Sequence, residues 1–398
     1  MRTIRLTRAL KIAILIAALI GGAWAMPAAA QSGQIEVLEE VQLSVRPLAI
    51  ALSPDGEKIA LTTREEICIY GSNGQQIVCS AKLPNALFPL RASQIDANSL
   101  TFSPDGKFVA FTENFYLFLD EPDIYLMNTT TGQITNLTPD NTTRVSFGPT
   151  LNALAVDQSP LFSPDSQSVY FIRNSYVAGA PQPPILARIP LAGGVATKLA
   201  ELPLVIGAVT SLNWIPGKEQ IVMSITAPNN RYDPNNGIAV INADGTGFKV
   251  LYNAYGYTDV VASADGEQLL AFNSFAQDRP PSPPARGREA SSFLHRIDGT
   301  LEAPISALKD FGASWATFSP DGQAIAYVIQ DTLKEKDGLY IAPLKGGEHY
   351  RVIEGPVAPA TSRVTPFRPL RWAANGVMLL YKGVPDLKLY IVRLGVRA

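Results

Sequence analysis

The chain has 398 residues, of which 46% are hydrophobic and 17% are charged, and its formal net charge is −2. This near-neutral balance leaves no basic surface of the kind that binds DNA or RNA, so the expected partners exclude nucleic acid. A high apolar fraction with scattered glycine and proline is typical of many short buried strands joined by turns.

The first thirty residues have the pattern of an export signal. Four basic residues within positions 2–11 precede an apolar run at 12–23, and the sequence then offers small-x-small cleavage sites after Ala25 or Ala30. An uncleaved signal anchor is the alternative, although two glycines and a proline make the run a poor spanning helix. We therefore expect an exported protein, periplasmic or extracellular, that keeps no integral membrane segment after cleavage.

The two cysteines flank the strongest hairpin signal in the chain, the Asn-Gly pair at 73–74. A two-residue type I′ turn needs positive φ at both central positions, which this pair tolerates. Counting outward pairs Tyr70 with Ile77 and Cys68 with Cys79, the latter as a hydrogen-bonded pair with Cα atoms about 5.5 Å apart. An exported protein meets an oxidising environment, so we expect a Cys68–Cys79 disulfide. Two buried free thiols are the alternative.

One short turn motif recurs seven times along the chain. The clearest copies are Leu52-Ser53-Pro54-Asp55-Gly56, Phe102-Ser103-Pro104-Asp105-Gly106, Phe162-Ser163-Pro164-Asp165-Ser166 and Phe318-Ser319-Pro320-Asp321-Gly322. Ala262–Gly266 keeps most of the motif, whereas Trp214–Gly217 and Trp372–Gly376 are degenerate copies. The spacing runs from 48 residues (Ile215 to Ser263) to 60 residues (Ser103 to Ser163), the period of a propeller blade with variable loops.

Each copy predicts the first hairpin of a unit of four short antiparallel strands. A strand ends at the aromatic residue, the proline presets φ, and the glycine supplies a left-handed conformation. A β-rich run such as 108–111 follows, and two further strands surround a second turn such as Thr131-Gly132. The turn aspartates could be metal ligands, but aspartate in a tight turn ordinarily bonds its own backbone. We expect no metal and no cofactor.

The two ends of the chain predict how the ring closes. The last unit begins at Leu370 and has room for three strands only, while residues 35–45 are strand-like and have no local partner. An open ring would leave two unpaired strand edges. The sequence therefore predicts an all-β, seven-bladed propeller of four-stranded antiparallel blades in one domain at 31–398, in which 35–45 is the fourth strand of the last blade. Six or eight blades are the alternatives.

The repeats resemble the WD40-like (PD40) repeat of bacterial exported propellers, the type found in the TolB propeller and in prolyl-oligopeptidase-like proteins. The resemblance covers residues 35–398 and implies the propeller fold. TolB-like proteins carry an additional α/β domain before the propeller, for which there is no room before Ser53, and the peptidases carry a hydrolase domain with a Gly-x-Ser-x-Gly elbow that this sequence lacks. The resemblance therefore carries no functional residue over to this chain.

Loop lengths predict one working face. In an antiparallel blade, the first and third turns lie on one face, here the turn face. The opposite face, here the long-loop face, receives the long segments 114–122, 174–184, 227–236 and 277–292, and the connections 139–157 and 354–369. Aromatic and arginine side chains favour protein interfaces. The candidate partner-binding residues are Phe115, Tyr116, Tyr176, Arg231, Tyr232, Arg279, Arg286 and Arg288. The alternatives are that the aromatic residues pack locally and that the proline-rich segment 277–292 is a solvated insertion without a binding role.

These patterns favour a non-enzymatic scaffold that binds a protein or a cell-envelope polymer. Two histidines, His295 and His349, are too few for a His-rich metal site and make a Ser-His-Asp triad hard to assemble. The alternative is a carbohydrate-active or other hydrolytic propeller, because two carboxylates suffice for glycoside cleavage. The carboxylates that could converge are Asp120, Glu121, Asp123, Asp157 and Asp233. A small ligand in the central channel is a third possibility.

Overall fold

The structure is a computed structural model. It describes residues 34–45, 47–63, 66–80, 95, 99–112, 122–139, 154–177, 180–203, 208–226, 236–253, 256–273, 292–300, 313–329, 335–360, 370–383 and 388–396. The predicted signal peptide at 1–30 lies outside these ranges.

The described residues of the first half form short strands in rapid succession. In chain order they are β1 (Ile35–Leu43), β2 (Ala49–Leu52), β3 (Lys58–Thr62), β4 (Ile67–Gly71), β5 (Gln76–Cys79), β6 (Thr101–Phe102), β7 (Phe108–Thr112), β8 (Ile124–Asn128), β9 (Ile134–Asn136), β10 (Leu154–Phe162), β11 (Ser168–Val177), β12 (Ala180–Pro181), β13 (Ile185–Pro190) and β14 (Thr197–Glu201).

The second half continues the pattern. Its strands are β15 (Ala208–Ile215), β16 (Gln220–Thr226), β17 (Gly237–Asn242), β18 (Lys249–Asn253), β19 (Tyr257–Ala262), β20 (Gln268–Asn273), β21 (Ser292–Arg296), β22 (Ala313–Phe318), β23 (Ala324–Ile329), β24 (Gly338–Pro343), β25 (Tyr350–Glu354), β26 (Val357–Pro359), β27 (Val377–Lys382) and β28 (Lys388–Val396).

These strands form seven sheets, and each sheet is one blade. Blades 1 to 4 are β2-β3-β4-β5, β6-β7-β8-β9, β10-β11-β13-β14 and β15-β16-β17-β18, with β12 paired to β11. Blades 5 to 7 are β19-β20-β21, β22-β23-β24-β25 and β26-β27-β28-β1. The chain is a seven-bladed β-propeller, as the repeats predict. Blade 5 has three strands within the described residues.

The ring closes through its two terminal strands. β1 runs antiparallel to β28, from Ile35 opposite Val396 to Leu43 opposite Leu389. Ion pairs support the contact, because Glu40 binds Lys382 of β27, and Arg393 Nε lies 3.3 Å from a Glu39 carboxylate oxygen. The prediction that 35–45 supplies the outer strand of the last blade is confirmed.

The described residues form seven apolar core clusters, each lying between neighbouring blades, and the cluster of blades 6 and 7 also includes Phe272 of blade 5. One cluster joins blade 1 to blade 2 through Ile69, Phe102 and Phe111, and another joins blade 7 to blade 1 through Leu61 and Leu379. The remaining five follow the ring in the same way. Because each blade buries its two faces against its neighbours, the ring is held together by this burial rather than by a single central core.

The repeated motif builds the same turn in five blades. In the first copy, Ser53 Oγ donates to Asp55 Oδ1 at 2.5 Å, and the same carboxylate oxygen accepts the backbone N–H of Glu57 at 3.0 Å. The serine–aspartate distances in the other four copies are 2.5–2.7 Å. The aspartates therefore bond within their own turns, as aspartate in tight turns generally does.

Two sequence expectations about blades 3 and 7 need correction. The segment 174–184, expected as a loop, is largely strand, because β11 continues to Val177 and pairs with β12. The last blade does not begin at Leu370, since β26 already pairs with β27 and an isolated bridge from Trp372 to Met378 continues that edge. The segment 354–369 therefore contains β26 and is not purely a connection.

The cysteine hairpin closes differently from the expected turn. Gly71 N donates to Gln75 O and Gly74 N donates to Gly71 O, so the loop holds three residues, and a bulge follows because Tyr70 pairs with Gln76 rather than Ile77. The two differences offset each other, and Cys68 still lies opposite Cys79. The two sulfurs form a disulfide with Cα atoms 4.0 Å apart, closer than the hydrogen-bonded pair expected from the sequence.

Candidate functional site

The described residues do not assemble the expected partner-binding set. Seven of its members lie outside the described residues: Phe115, Tyr116, Arg231, Tyr232, Arg279, Arg286 and Arg288. Tyr176 lies in β11, where its backbone pairs with Leu154 and Pro181. Tyr176 therefore lies in a strand pair and not in a loop as expected, and its role in partner binding stays a prediction.

Blade 3 has an extended hairpin toward the long-loop face. Its first two strands, β10 and β11, have 9 and 10 residues, whereas the corresponding strands of blade 1 have 4 and 5. A buried ion pair lies in this ribbon, since Arg173 Nε and Nη2 donate to the two oxygens of Asp157 at 2.7 and 2.6 Å. A two-bond arginine–carboxylate contact of this kind fixes geometry as well as charge.

The candidate carboxylates that the structure describes are already engaged. The Asp157 side chain is 3% exposed and bound to Arg173. Asp123 accepts hydrogen bonds from Asn136 Nδ2 at 2.7 Å and from Thr138 Oγ1 at 3.3 Å. Asp120, Glu121 and Asp233 lie outside the described residues. Of the five candidates, the two that the structure describes are therefore both engaged in structural contacts.

The two histidines occupy neighbouring aromatic clusters within blades. His295 lies in β21 and is 1% exposed, and its Nε2 lies 3.0 Å from the Tyr257 hydroxyl. Burial lowers the pKa of His295 to about 4 and raises the pKa of Tyr257 to about 12, because both charged forms would be desolvated. His349 precedes β25, and its Nδ1 lies 2.8 Å from the Tyr327 hydroxyl. Neither side chain lines the central channel.

The innermost strands surround a channel that holds a cavity of about 130 Å³. We call it the inner cavity. Polar lining residues come from five blades: Thr101, Ser159, Ser211, Asn213, Asp259 and Arg371. Bulges interrupt the innermost strands of blades 3 to 6, and Ser159, which lines the cavity, adopts a φ of 55° within one of them. Such irregularities re-aim side chains that a regular strand would point elsewhere.

An ion pair crosses this channel. Arg371 Nη2 of blade 7 donates to Asp259 Oδ2 of blade 5 at 2.6 Å, although blade 6 lies between these two blades. The Asp259 side chain is 1% exposed, and that of Arg371 is 35% exposed. Asp259 Oδ1 also accepts the backbone N–H of Val260 at 2.9 Å and Asn213 Nδ2 at 3.3 Å. Both oxygens of the aspartate therefore accept hydrogen bonds, and the arginine side chain remains partly exposed.

A wider opening of about 520 Å³ lies where the channel meets the turn face. We call it the turn-face funnel. Its wall includes three turn prolines and three aromatic residues: Pro54, Pro216, Pro320, Phe102, Phe318 and Trp372. Arg371 lines both the funnel and the inner cavity, so its guanidinium stands at their junction. The Nη1 of Arg371 and the Nε1 of Trp372 are buried and have no hydrogen-bond acceptor among the described residues.

Sequence reasoning missed the channel residues. Arg371 sits directly before the aromatic residue of a degenerate repeat, where the other copies carry the uncharged residues Ala51, Thr101, Leu161, Asn213, Val261 and Thr317. A charge at this position of an otherwise apolar innermost strand is a signal that alignment of the seven copies could have revealed. Asp259, four residues before Ser263, offers no comparable signal without knowledge of the bulge beside it.

The described residues also bear on metals and membranes. One group of potential ligands occurs among them, Glu66, Cys68 and Cys79, and its two sulfurs are joined to each other in the disulfide. Thiolates are the metal-binding form of cysteine, so the oxidised pair does not supply them. No helix in the described part of the chain is both long and apolar enough to cross a membrane.

Comparison with known proteins supports the fold. No protein-family model matches the sequence, and no curated protein sequence is significantly similar. An oligogalacturonate lyase in complex with manganese matches 92% of this chain over 94% of its own, with 13% identity and a TM-score of 0.54. A puromycin hydrolase matches 87% of this chain over 51% of its own, with 15% identity and a TM-score of 0.57. At these identities the likeness shows the propeller fold alone.

The finer resemblance to the TolB propeller stays a prediction. A putative TolB from Agrobacterium tumefaciens is among the similar structures, with 13% identity, coverage of 92% of this chain and 91% of that one, and a TM-score of 0.41. The assignment to the PD40 repeat type rests on the sequence motif.

Proposed function

We propose that this propeller is an exported, non-enzymatic binding scaffold that engages a protein or a cell-envelope polymer through its long-loop face. The observation that carries the proposal is the asymmetry of the two faces. On the turn face the first and third turns bond to each other, as Ser72 N donates to Glu57 O and Thr129 N donates to Lys107 O. The same turn-to-turn bond recurs in blades 3 to 6.

The long-loop face has a different construction. The segments between β7 and β8, β16 and β17, and β20 and β21 are long, and the β10–β11 ribbon of blade 3 extends in the same direction. Long insertions borne by a rigid scaffold are where binding residues usually lie. Arginine and tyrosine, which these insertions contain, are favoured anchors of protein interfaces.

The hydrolytic alternative has less support. Two of its five candidate carboxylates, Asp123 and Asp157, hold structural hydrogen bonds and an ion pair. A glycosidase needs one carboxyl group that can donate a proton and a second that remains available opposite it. Both oxygens of Asp157 accept hydrogen bonds from Arg173, so this carboxylate is already engaged in a structural contact.

The test is crosslinking and affinity recovery of the tagged protein from its native envelope, beside two variants. In one, Arg279, Arg286 and Arg288 are replaced by serine. The matched control also loses three positive charges, but at exposed positions of strands and turns elsewhere in the chain, through Lys249→Ser, Lys345→Ser and Lys388→Ser. A partner recovered by the wild type and the control but lost by the first variant supports the scaffold. Equal recovery by all three contradicts a role for these arginines.

Recovery of no partner by the wild type would contradict the proposal as a whole. In that case, turnover assays on envelope polysaccharides, with variants of Asp120, Glu121 and Asp233, would test the hydrolytic alternative.

A further inference from the structure

The turn-face funnel has the general construction of a small-molecule site, and nothing in the proposed function uses it. Its volume of about 520 Å³ lies within the range of ligand pockets, roughly 300–1,000 Å³. Most of its lining residues are apolar and come from blades 1, 2, 4, 5, 6 and 7, and four hydroxyl side chains also line it: Ser53, Thr101, Thr317 and Ser319. Apolar walls with few polar groups at fixed positions are typical of such pockets.

Arg371 is the one charged side chain among the described residues that line the funnel. Its contact with Asp259 uses a single N–H of Nη2, and a guanidinium has five N–H donors. The side chain is 35% exposed, whereas Asp259 lines the inner cavity and not the funnel. A molecule in the funnel therefore contacts the side chain of the cation and not that of the carboxylate.

The neighbouring charges decide which anion fits. The Arg371–Asp259 pair is formally neutral, so the site has no surplus positive charge with which to neutralise a dianion. A phosphate monoester, which carries about two charges at neutral pH, would be repelled by Asp259 more strongly than a carboxylate with one. Arginine recognises carboxylates through two parallel hydrogen bonds, which matches the planar carboxylate group.

We propose that the turn-face funnel binds a small monocarboxylate with an apolar body, its carboxylate on the guanidinium of Arg371 and its body against Phe102, Phe318 and the turn prolines. The carboxylate supplies an acceptor for a buried guanidinium that lacks one at Nη1 among the described residues. This site is on the face opposite the long loops, so it is independent of the proposed scaffold function.

The test is isothermal titration of the full chain with 3-phenylpropionate, a monocarboxylate with one aromatic ring. The neutral 3-phenylpropionamide has nearly the same shape and is the matched control ligand. We expect 3-phenylpropionate to bind with millimolar affinity or better and the amide to bind at least tenfold more weakly. The proposal would be overturned if 3-phenylpropionate did not bind at concentrations up to about 20 mM, or if the two compounds bound equally.

Two kinds of variant locate the site. The double substitution Arg371→Gln and Asp259→Asn removes the cation without leaving a buried unpaired charge, and should weaken binding at least tenfold. Ala374→Phe keeps Arg371 but places a ring in the funnel from an exposed lining residue, and should also abolish binding. Ala192→Phe, at an exposed turn of blade 3, is the control and should bind within twofold of the wild type. Wild-type affinity in either funnel variant would place the ligand elsewhere and overturn the proposal.

The same carboxylate chemistry has two natural sources, a free organic acid and the C-terminus of a polypeptide. A second titration with the peptide acetyl-Ala-Ala-Phe, and with its C-terminal amide, distinguishes them. Binding of either acid supports the site, provided that its amide binds more weakly. Tighter binding of the peptide acid than of 3-phenylpropionate assigns the funnel to a chain terminus, and weaker binding assigns it to a small acid.

Discussion

Removal of Arg371 should destabilise the propeller through the aspartate that it leaves behind. In Arg371→Leu, the Asp259 carboxylate would remain in a site where its side chain is 1% exposed, with only the Val260 N–H and the Asn213 amide as donors. Breaking a buried ion pair on one side ordinarily costs about 3–5 kcal/mol, because an uncompensated charge stays in a low dielectric. Since Arg371 is 35% exposed, solvent screens the pair and the lower end, about 3 kcal/mol, is expected.

The double variant Arg371→Leu and Asp259→Asn separates this cause from lost packing. It removes the buried charge while the asparagine side chain keeps the shape of the aspartate, so it should recover most of the lost stability. Urea unfolding followed by tryptophan fluorescence and by circular dichroism measures both variants, and the two signals together show whether the transition is cooperative. A single variant as stable as the wild type, or a double variant as unstable as the single one, would refute the argument from an unpaired buried charge.

Three further predictions concern other parts of the fold. Burial lowers the pKa of His295 from 6.5 to about 4, so between these pH values the unfolded chain binds a proton that the folded chain does not. The free energy of unfolding should therefore fall by about 2 kcal/mol from pH 7 to pH 5. Urea midpoints at both pH values measure this fall, which should disappear in the variant His295→Gln. Gly56→Ala should lower the melting temperature more than Gly217→Ala. Both glycines have positive φ, but only at Gly56 would the new Cβ meet a neighbour, 1.9 Å from Asn375 Oδ1. Equal losses in melting temperature would contradict a close contact between blades 1 and 7. Deletion of 34–45 should destabilise the entire ring, since it leaves the edge of β28 unpaired, and a deletion variant that melts like the wild type would contradict the closure.

The sequence predicts the architecture of this protein far better than its candidate site. The repeated turn identifies each blade because one local device, a serine and an aspartate that bond within four residues, recurs wherever the first hairpin recurs. The ring closure is predictable because residues 35–45 are strand-like and have no local partner, while the last blade has room for only three local strands. Pairing 35–45 with the last blade satisfies both. Both inferences depend on local patterns and on the rule that strand edges are paired.

The channel depends on contacts that no local pattern encodes. Arg371 and Asp259 are 112 residues apart in sequence and meet only because the ring brings blades 5 and 7 to the same axis. The bulge between Tyr257 and Asp259 shifts the strand register by an amount that alternation of apolar residues does not reveal. The same limit explains the error at Tyr176, where strands longer than the repeat suggests replace a loop.

The closure of the ring by β1 and β28 has a consequence for how the chain acquires its fold. Of the strands in the described residues, β1 is synthesised first and its partner β28 last. The edge of β1 that pairs with β28 therefore stays unpaired while six blades form. Joining two segments separated by roughly 350 residues costs about 5 kcal/mol of loop-closure entropy if the intervening chain is flexible, and much less once the preceding blades have stacked and placed the ends side by side. During that interval β1 of one molecule can complete blade 7 of another, since the same pairing is available between chains. At high concentration, slow closure would therefore yield strand-exchanged dimers rather than disordered aggregates.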